Sequence, residues 1–277
     1  MWTRDDFGSL FRPPVIGMVH LRPLPGSPGW AGNLRAVVDA ALVDTENLVA
    51  GGVGAVMVEN FHDVPFFPGP VPPVTVAAMT RIIDAITGSY RDLPVGVNVL
   101  RNDAESALAV AAAAGASFIR VNVHVGAAVT DQGTIEGRAW QTLRLRREWA
   151  PEVGILADVR VKHALPLAPR PLAEEARDLR LRGLADGIIV TGAATGSGAS
   201  PADVEIVRAA VPECPLLVGS GVNTDNIAGF GVAVDGVIVG TSLKEKTGER
   251  FAAVSADLTR DLVEAWQVAE NNMEETP

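Results

Sequence analysis

Eight short apolar segments recur along the chain, and each is separated from the next by a stretch long enough for a helix. Each segment is rich in valine and isoleucine and ends in polar residues or glycine, which is typical of buried parallel strands. The segments begin at Val15, Ala55, Pro94, Ser117, Gly154, Asp186, Pro215 and Asp235. Eight strand–helix units predict an α/β fold, a single (β/α)8 TIM barrel whose chemistry lies at the carboxyl ends of the strands.

Length and composition suit one such barrel. The chain has 277 residues, close to the roughly 250 residues of a typical barrel. Hydrophobic residues make up 48% of the chain and charged residues 20%, which indicates a large folded core. The net charge of -10 argues against a general nucleic-acid-binding surface. We therefore expect one domain over residues 1–277, with an N-terminal segment at 1–14 and a flexible acidic tail at 270–277.

The cysteine count and the N-terminus bear on the cellular compartment. Cys214 is the only cysteine, so no internal disulfide can form, and we expect a buried structural thiol in a reducing compartment. The first residues lack the apolar core of a signal peptide. No apolar run reaches the roughly 18 residues that a membrane span needs. These features predict a cytoplasmic protein without an integral membrane segment.

The connections between strands are predicted to be helices, apart from three long loops at the carboxyl ends of strands. The helices are predicted at 34–49, 74–87, 104–114, 137–149, 172–182, 201–210, 224–228 and 252–269. The long loops span 21–33, 61–73 and 125–137. Loops of this length at the functional face often act as lids. His62 and Asp63 in the second loop and Asp131 in the third are therefore predicted to be lid or rim residues.

Polar and apolar side chains alternate along several strands. In the fourth strand, Ile119, Val121 and Val123 share one face, and polar residues occupy the other. Because the apolar set must face the helices, the polar set is predicted to point into the barrel. The inward set comprises His20, Glu59, Asn98, Arg120, Asn122, His124, Asp158 and Arg160. Burying such groups is costly unless they pair with one another or with a ligand. A structural network explains part of the set, but its clustering toward the strand ends favours catalysis or tight ligand binding.

The histidines strengthen that interpretation, because all four fall at or just after the carboxyl end of a strand. They are His20, His62, His124 and His163. This placement favours acid–base chemistry or metal binding. Glu59, His124 and Asp158 are the candidate acid–base groups, and they are also candidate ligands of a divalent metal. No HxH, HExxH or DxD spacing occurs, so a metal would need ligands from different strands.

Lys162 is a lysine near the same face, and three roles for it stay open. A desolvated lysine can form a Schiff base with a carbonyl substrate. It can also hold an anionic ligand by charge alone. A lysine placed slightly further from the barrel would be a solvated charge on the rim.

Small residues follow the last two strands, where TIM barrels often bind phosphate. The two groups are Gly219–Ser220–Gly221 and Gly240–Thr241–Ser242, and Gly192 follows the sixth strand in a third glycine-rich segment. Glycines let a ligand approach the backbone, and exposed N–H groups there bind anions. Tight turns use the same residues, so each group alone is a weak signal. Two groups on adjacent strands together predict a phosphate site, to which Lys244 adds charge.

Several segments together are similar to a known family. IGMVHLRPLPGSP, VMVENFHDVPF, GVNVLRND, FIRVNVHVGA, TDQGTIEGRA and ILADVRVKHA resemble the BtpA family, which includes SgcQ-like proteins. The resemblance implies a TIM barrel of the phosphate-binding type. Its founding members are associated with photosystem I accumulation, and its SgcQ-like members accompany sugar-transport genes. The residues carried in these segments are His20, Glu59, Asn60, His62, Asp63, Asn98, Asn122, Asp131, Asp158 and Lys162.

The favoured hypothesis is an enzyme that acts on a small phosphorylated metabolite, a sugar phosphate or a nucleotide-like ester. Isomerase or lyase chemistry is expected, because no GxGxxG dinucleotide fingerprint follows the first strand. The acid–base candidates act on substrate that is oriented by Asn98, Asn122 and His20. Lys162 or Arg160 stabilises developing negative charge. No cofactor is expected, with a divalent metal as an open alternative and a bound flavin as a minor one.

A second hypothesis is a non-catalytic assembly factor of the photosystem I biogenesis type. In that case the barrel is a scaffold, and Trp30, Phe66 and Phe67 in the proline-rich loops dock a partner. Inward charged groups argue against this, because a scaffold does not need them. A third hypothesis is a former enzyme that still binds phosphate. A homo-oligomer formed through the outer helices is expected in each case.

Overall fold

Eight parallel strands close into a barrel in the computed structural model, which describes residues 1–192 and 198–274. The strands of the described residues are β1 (Val15–His20), β2 (Ala55–Glu59), β3 (Val95–Asn98), β4 (Phe118–Val121), β5 (Ala127–Thr130), β6 (Gly133–Glu136), β7 (Gly154–Arg160), β8 (Ala164–Pro166), β9 (Gly187–Thr191), β10 (Leu216–Gly219) and β11 (Gly236–Val239). The barrel order is β1-β2-β3-β4-β7-β9-β10-β11, and β11 pairs with β1 to close it. The predicted TIM barrel is confirmed.

Helices cover the amino-terminal end and the outside of the barrel. They are α1 (Arg4–Leu10), α2 (Leu34–Ala50), α3 (Pro73–Ser89), α4 (Ala104–Ala114), α5 (Ala139–Trp149), α6 (Leu172–Leu181), α7 (Pro201–Ala210) and α8 (Ala256–Glu274). Local signals fix several ends: the Asp103 side chain accepts a hydrogen bond from the Ser106 N–H, and Gly115 ends α4 with φ of 70°. The helix predicted at 224–228 is instead a 3-10 helix, Ile227–Ala233. The last helix begins later than predicted and continues to Glu274.

The amino-terminal end of the barrel is closed by α1. Phe7 and Phe11 are buried there, and the Phe11 ring meets the inward Phe118 ring edge-on at a centroid distance of 5.4 Å. Together with inward side chains from the lower half of the strands, such as Met57 and Leu156, these rings form one apolar cluster. The barrel therefore has an apolar floor, and its open end is the carboxyl end.

The inward positions change from apolar to polar toward that open end. On β2, Met57 is followed two residues later by Glu59, and on β7 Leu156 is followed by Asp158. On β4, Phe118 is followed by Arg120. The intervening residues pack outward against the helices in the main core. The inward orientation predicted from strand alternation is thus observed for Glu59, Asn98, Arg120 and Asp158.

The third long loop has secondary structure of its own. Strands β5 and β6 form an antiparallel hairpin, and β8 pairs with β5 to complete a three-stranded sheet. Ala128 and Ile135 of the hairpin pack against Val123 and Val161, which follow β4 and β7. Asp131 lies at the exposed hairpin tip. This small sheet stands beside the open end of the barrel at β4 and β7.

The structure bears on the expectations for Cys214 and for membrane-spanning segments. Cys214 is buried, and burial raises the pKa of its thiol to about 11, as a structural cysteine requires. Among the described residues, none of the helices is long and apolar enough to cross a membrane.

Candidate active site

A cavity of about 530 Å³ opens at the carboxyl end of the barrel, above the apolar floor. His20, Glu59 and Lys162 lie in its wall. The turns after β10 and β11 line the same cavity. Of the three predicted acid–base residues, the structure therefore brings Glu59 together with the predicted phosphate turns in one cavity of the size that small ligands use.

Glu59 is held by its neighbours on both adjacent strands. Strand register places His20 beside Glu59 and Glu59 beside Asn98, so the three side chains lie at one height. The Asn98 Nδ2 donates a hydrogen bond to Glu59 Oε2, and the His20 Nε2 lies 3.9 Å from Glu59 Oε1. Desolvation by burial lowers the pKa of His20 well below its usual value, so His20 is neutral at pH 7. Glu59 is therefore oriented by an amide and faces no imidazolium.

Asp158 is fully engaged by two other inward residues. Arg120 donates two hydrogen bonds to its carboxylate, from Nη2 at 2.8 Å and from Nε at 3.0 Å. Asn122 Nδ2 donates a third, at 2.9 Å. The Arg120 side chain reaches the cavity wall, whereas Asp158 lies behind it. The arrangement suits Asp158 to positioning Arg120 rather than to transferring protons.

Lys162 lies in the cavity wall and is half-buried. Desolvation lowers the pKa of its ammonium group, while the negative charge of Glu59 opposes that shift. Arg101, which is buried, donates a hydrogen bond from Nη2 to the Lys162 carbonyl at 2.7 Å and so fixes this part of the chain. Sequence reasoning missed Arg101, because it lies in the loop beyond β3 where strand alternation gives no orientation.

The two predicted phosphate turns are joined to each other by a hydrogen bond. Ser220 and Gly221 have φ of 76° and 69°, a left-handed turn that Ser220 adopts despite its side chain. Ser242 links the second turn to the first, because its hydroxyl donates a hydrogen bond to the Val222 carbonyl at 2.7 Å. Thr241 starts the short 3-10 helix Thr241–Leu243. Ser220, Gly221, Thr241 and Ser242 all line the cavity.

Three glycines of the predicted phosphate site, Gly240, Gly219 and Gly192, have different surroundings. A Cβ atom on Gly240 would lie 2.9 Å from the His20 ring, so glycine here lets His20 approach the turn. Gly219 is the last residue of β10. Gly192 is buried after β9, and the rest of that glycine-rich segment, 193–197, lies outside the described residues.

Two residues predicted to point into the barrel do not. Strand β4 ends at Val121, and beyond it the chain turns, so the His124 Nε2 bonds to the Gly183 carbonyl at 2.8 Å, away from the cavity. Strand β7 has a register shift between Asp158 and Arg160, which turns the Arg160 side chain outward. There it is exposed and donates to the Glu175 carboxylate at 2.8 Å. The predictions for His124 and Arg160 were wrong because alternation holds only in regular strand.

The same geometry separates the three candidate metal ligands. His124 lies outside the barrel mouth, and the Asp158 carboxylate is occupied by Arg120, so neither can join Glu59 around one ion. Over residues 1–192 and 198–274, no group of three or more His, Cys, Asp or Glu side chains is arranged to hold a metal.

Comparison with known proteins identifies the family. The sequence profile of the BtpA family matches residues 12–268. The chain belongs to the BtpA family. It is 52% identical over 231 residues to the photosystem I biogenesis protein BtpA of Synechocystis, and this match covers 83% of the chain and 80% of that protein.

Solved structures support the fold of this BtpA-family chain. It matches 2-keto-3-deoxy-6-phospho-gluconate aldolase from Zymomonas mobilis with a TM-score of 0.55 and 14% identity, over 94% of the chain and 95% of the aldolase. It matches N-(5'-phosphoribosyl)anthranilate isomerase from Pyrococcus furiosus with a TM-score of 0.53 and 15% identity, over 92% and 98% of the two chains. At such identities the likeness establishes the TIM barrel.

The three predicted rim residues have different surroundings in the structure. His62 lines the cavity, and its ring meets the Phe251 ring edge-on at 4.8 Å. Asp63 is buried and accepts a hydrogen bond from the Leu24 N–H at 2.7 Å, so it ties the first long loop to the second. Asp131, at the exposed hairpin tip, does not line the cavity.

His62 should make stability depend on pH. Burial lowers the pKa of its imidazole to about 4, against 6.5 in the unfolded chain. Between these values the unfolded state binds more protons, so this contribution is complete above pH 6.5 and is lost as the pH falls toward 4. We expect the melting temperature to drop less between pH 7 and pH 5 in His62→Gln than in the native protein. The difference should vanish between pH 7 and pH 8, and an equal drop in both proteins at low pH would contradict the shift.

Proposed function

We propose that this BtpA-family protein is an enzyme that acts on a small phosphorylated metabolite by acid–base chemistry of the isomerase or lyase type. One observation carries the proposal: Glu59 and the turns after β10 and β11 line the same cavity. A carboxylate that can accept a proton therefore faces a set of groups suited to an anion. The aldolase and isomerase named above share this fold, which supports the reaction class without specifying the substrate.

The phosphoryl group binds at the two turns. Ser220 and Thr241 offer backbone N–H groups and hydroxyls at the cavity, Ser242 offers its backbone N–H, and glycines beside them let oxygen atoms approach. Lys244 adds a positive charge in the same wall. Desolvation lowers the pKa of Lys244, while the negative charge of Asp44 opposes that shift; a bound phosphoryl group would oppose it further.

Glu59 is the general base in this proposal. It removes a proton from the carbon next to a substrate carbonyl, and the electron pair left behind moves onto the carbonyl oxygen. Lys162 and Arg120 stabilise the negative charge that develops on that oxygen. Asn98 orients the Glu59 carboxylate, and the neutral His20 hydrogen-bonds a substrate hydroxyl. In an isomerisation, Glu59 returns the proton to the former carbonyl carbon, while the hydroxyl proton of the deprotonated carbon passes to the former carbonyl oxygen, so the carbonyl moves by one carbon. In a lyase reaction, the electron pair instead re-forms the carbonyl and expels a hydroxyl group from the next carbon, which leaves as water with the proton that Glu59 took up.

A charge placed at the second turn should remove phosphate binding. Thr241 is exposed at the cavity, so Thr241→Glu is expected to fold normally and to repel a phosphoryl group. We expect the rise in melting temperature with ribose 5-phosphate to be lost, because a ligand stabilises only the state that it binds. Thr224→Glu, exposed in the neighbouring loop outside the cavity, is the matched control and should keep the rise. Equal rises in both variants would locate the phosphate elsewhere.

The name of the Synechocystis relative favours a second function, assembly of a photosynthetic complex. In that case the long loops would contact the partner. Phe67 is 43% exposed there, whereas Trp30 is half-buried against the core and Phe66 is partly covered. An assembly factor does not need the Glu59 carboxylate, so removal of that group separates the two functions.

We also propose that the protein is a cytoplasmic homo-oligomer whose outer helices form the interface. Leu181 at the end of α6, Ile206 on α7 and Val268 on α8 are exposed apolar side chains on those helices. In this proposal these three side chains are buried between subunits.

A further inference from the structure

A second cavity adjoins the candidate active site. Its volume is about 380 Å³, and it lies between α2 and the loop that follows β11. His20, His62, Lys244 and Ala252 line both cavities, so the two meet along these side chains. We call the second one the α2 cavity. The acid–base chemistry proposed above does not use it.

The wall of the α2 cavity is mostly apolar. Ala36, Val37, Ala40 and Val43 line it from one face of α2, as their spacing along a helix allows. Ala253 contributes from the opposite side. An apolar protein cavity of about 150 Å³ is enough to bind benzene. The α2 cavity therefore has room for a planar ring system.

His20, Phe61, His62 and Phe251 form a row of aromatic rings, in which the two histidines line both cavities, Phe251 lines the α2 cavity and Phe61 lines the larger cavity. His20 stacks on Phe61 with 4.3 Å between centroids and 18° between planes. Phe61 meets His62 at 5.2 Å, and His62 meets Phe251 at 4.8 Å, both edge-on. Burial lowers the pKa of both imidazoles, so the row is uncharged near neutral pH. Stacked and edge-on aromatic groups are the surfaces that proteins offer to planar rings.

The charges around the α2 cavity do not favour a second phosphate. Arg22 and Lys244 are positive, but Asp39 and Asp44 line the same cavity. Asp44 is buried and accepts a hydrogen bond from the Val254 N–H at 2.9 Å. An additional anion would lie close to two carboxylates. An uncharged ring that contacts the apolar wall and the aromatic row fits better.

We propose that the ligand is a phosphate ester that carries a planar heterocyclic ring, as a nucleotide does, and that the ring binds in the α2 cavity. This inference rests on the proposed function for the position of the phosphoryl group. It narrows the proposed substrate class from phosphorylated metabolites in general to nucleotide-like esters. The ester bridges the two cavities past His20 and Lys244, with its phosphate at the turns after β10 and β11.

Isothermal titration of the full chain with AMP, ribose 5-phosphate and adenosine tests the proposal. AMP should bind at least about tenfold more tightly than ribose 5-phosphate, because stacking of a base on aromatic side chains favours binding. Ala40→Phe fills the α2 cavity and should remove this advantage while leaving ribose 5-phosphate unchanged. Val49→Phe, exposed on α2 outside the cavity, is the matched control and should keep it. Ala36→Phe, one turn earlier on the same face, repeats the test should Ala40→Phe unfold.

The adenosine arm separates the two proposals. Adenosine should bind the native protein and Thr241→Glu with equal affinity, and its binding should be lost in Ala40→Phe. Equal affinities for AMP and ribose 5-phosphate in the native protein would overturn the ring site and leave the proposed function standing. Adenosine binding that Ala40→Phe abolishes, with no binding of ribose 5-phosphate, would support the ring site and overturn the phosphate site. Absence of binding by all three would overturn both.

Discussion

Replacing Asp158 by alanine is expected to lower the free energy of unfolding by about 3–5 kcal/mol, because it leaves a buried charge without its partner. Arg120 would lose two hydrogen bonds, and Asn122 would lose one. The Arg120 side chain is only 7% exposed, so water cannot readily replace them. Urea unfolding with linear extrapolation measures the change.

Two further variants separate this cause from a general effect of the substitution. Asp225→Ala removes an exposed carboxylate and should change stability by at most about 0.5 kcal/mol. The double variant Arg120→Met, Asp158→Ala removes both charges and should recover much of the loss, because no buried ion remains. A double variant less stable than Asp158→Ala alone would show that Arg120 contributes by packing rather than by pairing.

Much of the barrel could be predicted from the sequence because its physics is local. A buried strand needs a short apolar run, and β4 and β10 each show one followed by a break. Alternation then fixed which side chains face inward, and it succeeded for Glu59, Asn98 and Arg120, which lie within regular strands. Those three buried residues lie at the inner end of the candidate site, above the apolar floor of the barrel.

The failures occur where the backbone leaves that regularity. Arg160 follows a register shift that the pattern of residue types does not predict. His124 lies beyond Val121, the last residue of β4, where strand alternation no longer applies. The hairpin β5–β6 went unrecognised because its turn, Asp131–Gln132, has its glycine after the two central residues, at Gly133 with φ of 98°, and this is a weaker signal than Asn-Gly or Asp-Gly at the centre. Phe61 stacks on His20 at the end of β1. This contact depends on how the folded barrel brings the two segments together and cannot be predicted from the spacing of residues in the sequence.

Glu59→Gln is expected to lower the turnover of the phosphate ester by about 10²–10⁴-fold, the usual contribution of a positioned general base. The glutamine keeps the size of the side chain and can still accept the hydrogen bond from Asn98. It cannot take up a proton at neutral pH. The dissociation constant of the ester should therefore stay close to that of the native protein, while kcat falls. With the ester that gives the largest thermal shift, steady-state kinetics measures kcat and isothermal titration measures the dissociation constant.

Glu249→Gln provides the matched control for this experiment. Glu249 is an exposed carboxylate at the edge of the same cavity, so its loss changes the charge near the ligand without removing the proposed base. Its turnover should stay near the native value, which separates proton transfer from a general electrostatic effect. Unchanged turnover in Glu59→Gln would exclude Glu59 as the base and direct attention to Lys162. Retention of cellular function by Glu59→Gln, with loss in a Phe67 variant, would instead favour the assembly role, because only an enzyme depends on the inward carboxylate.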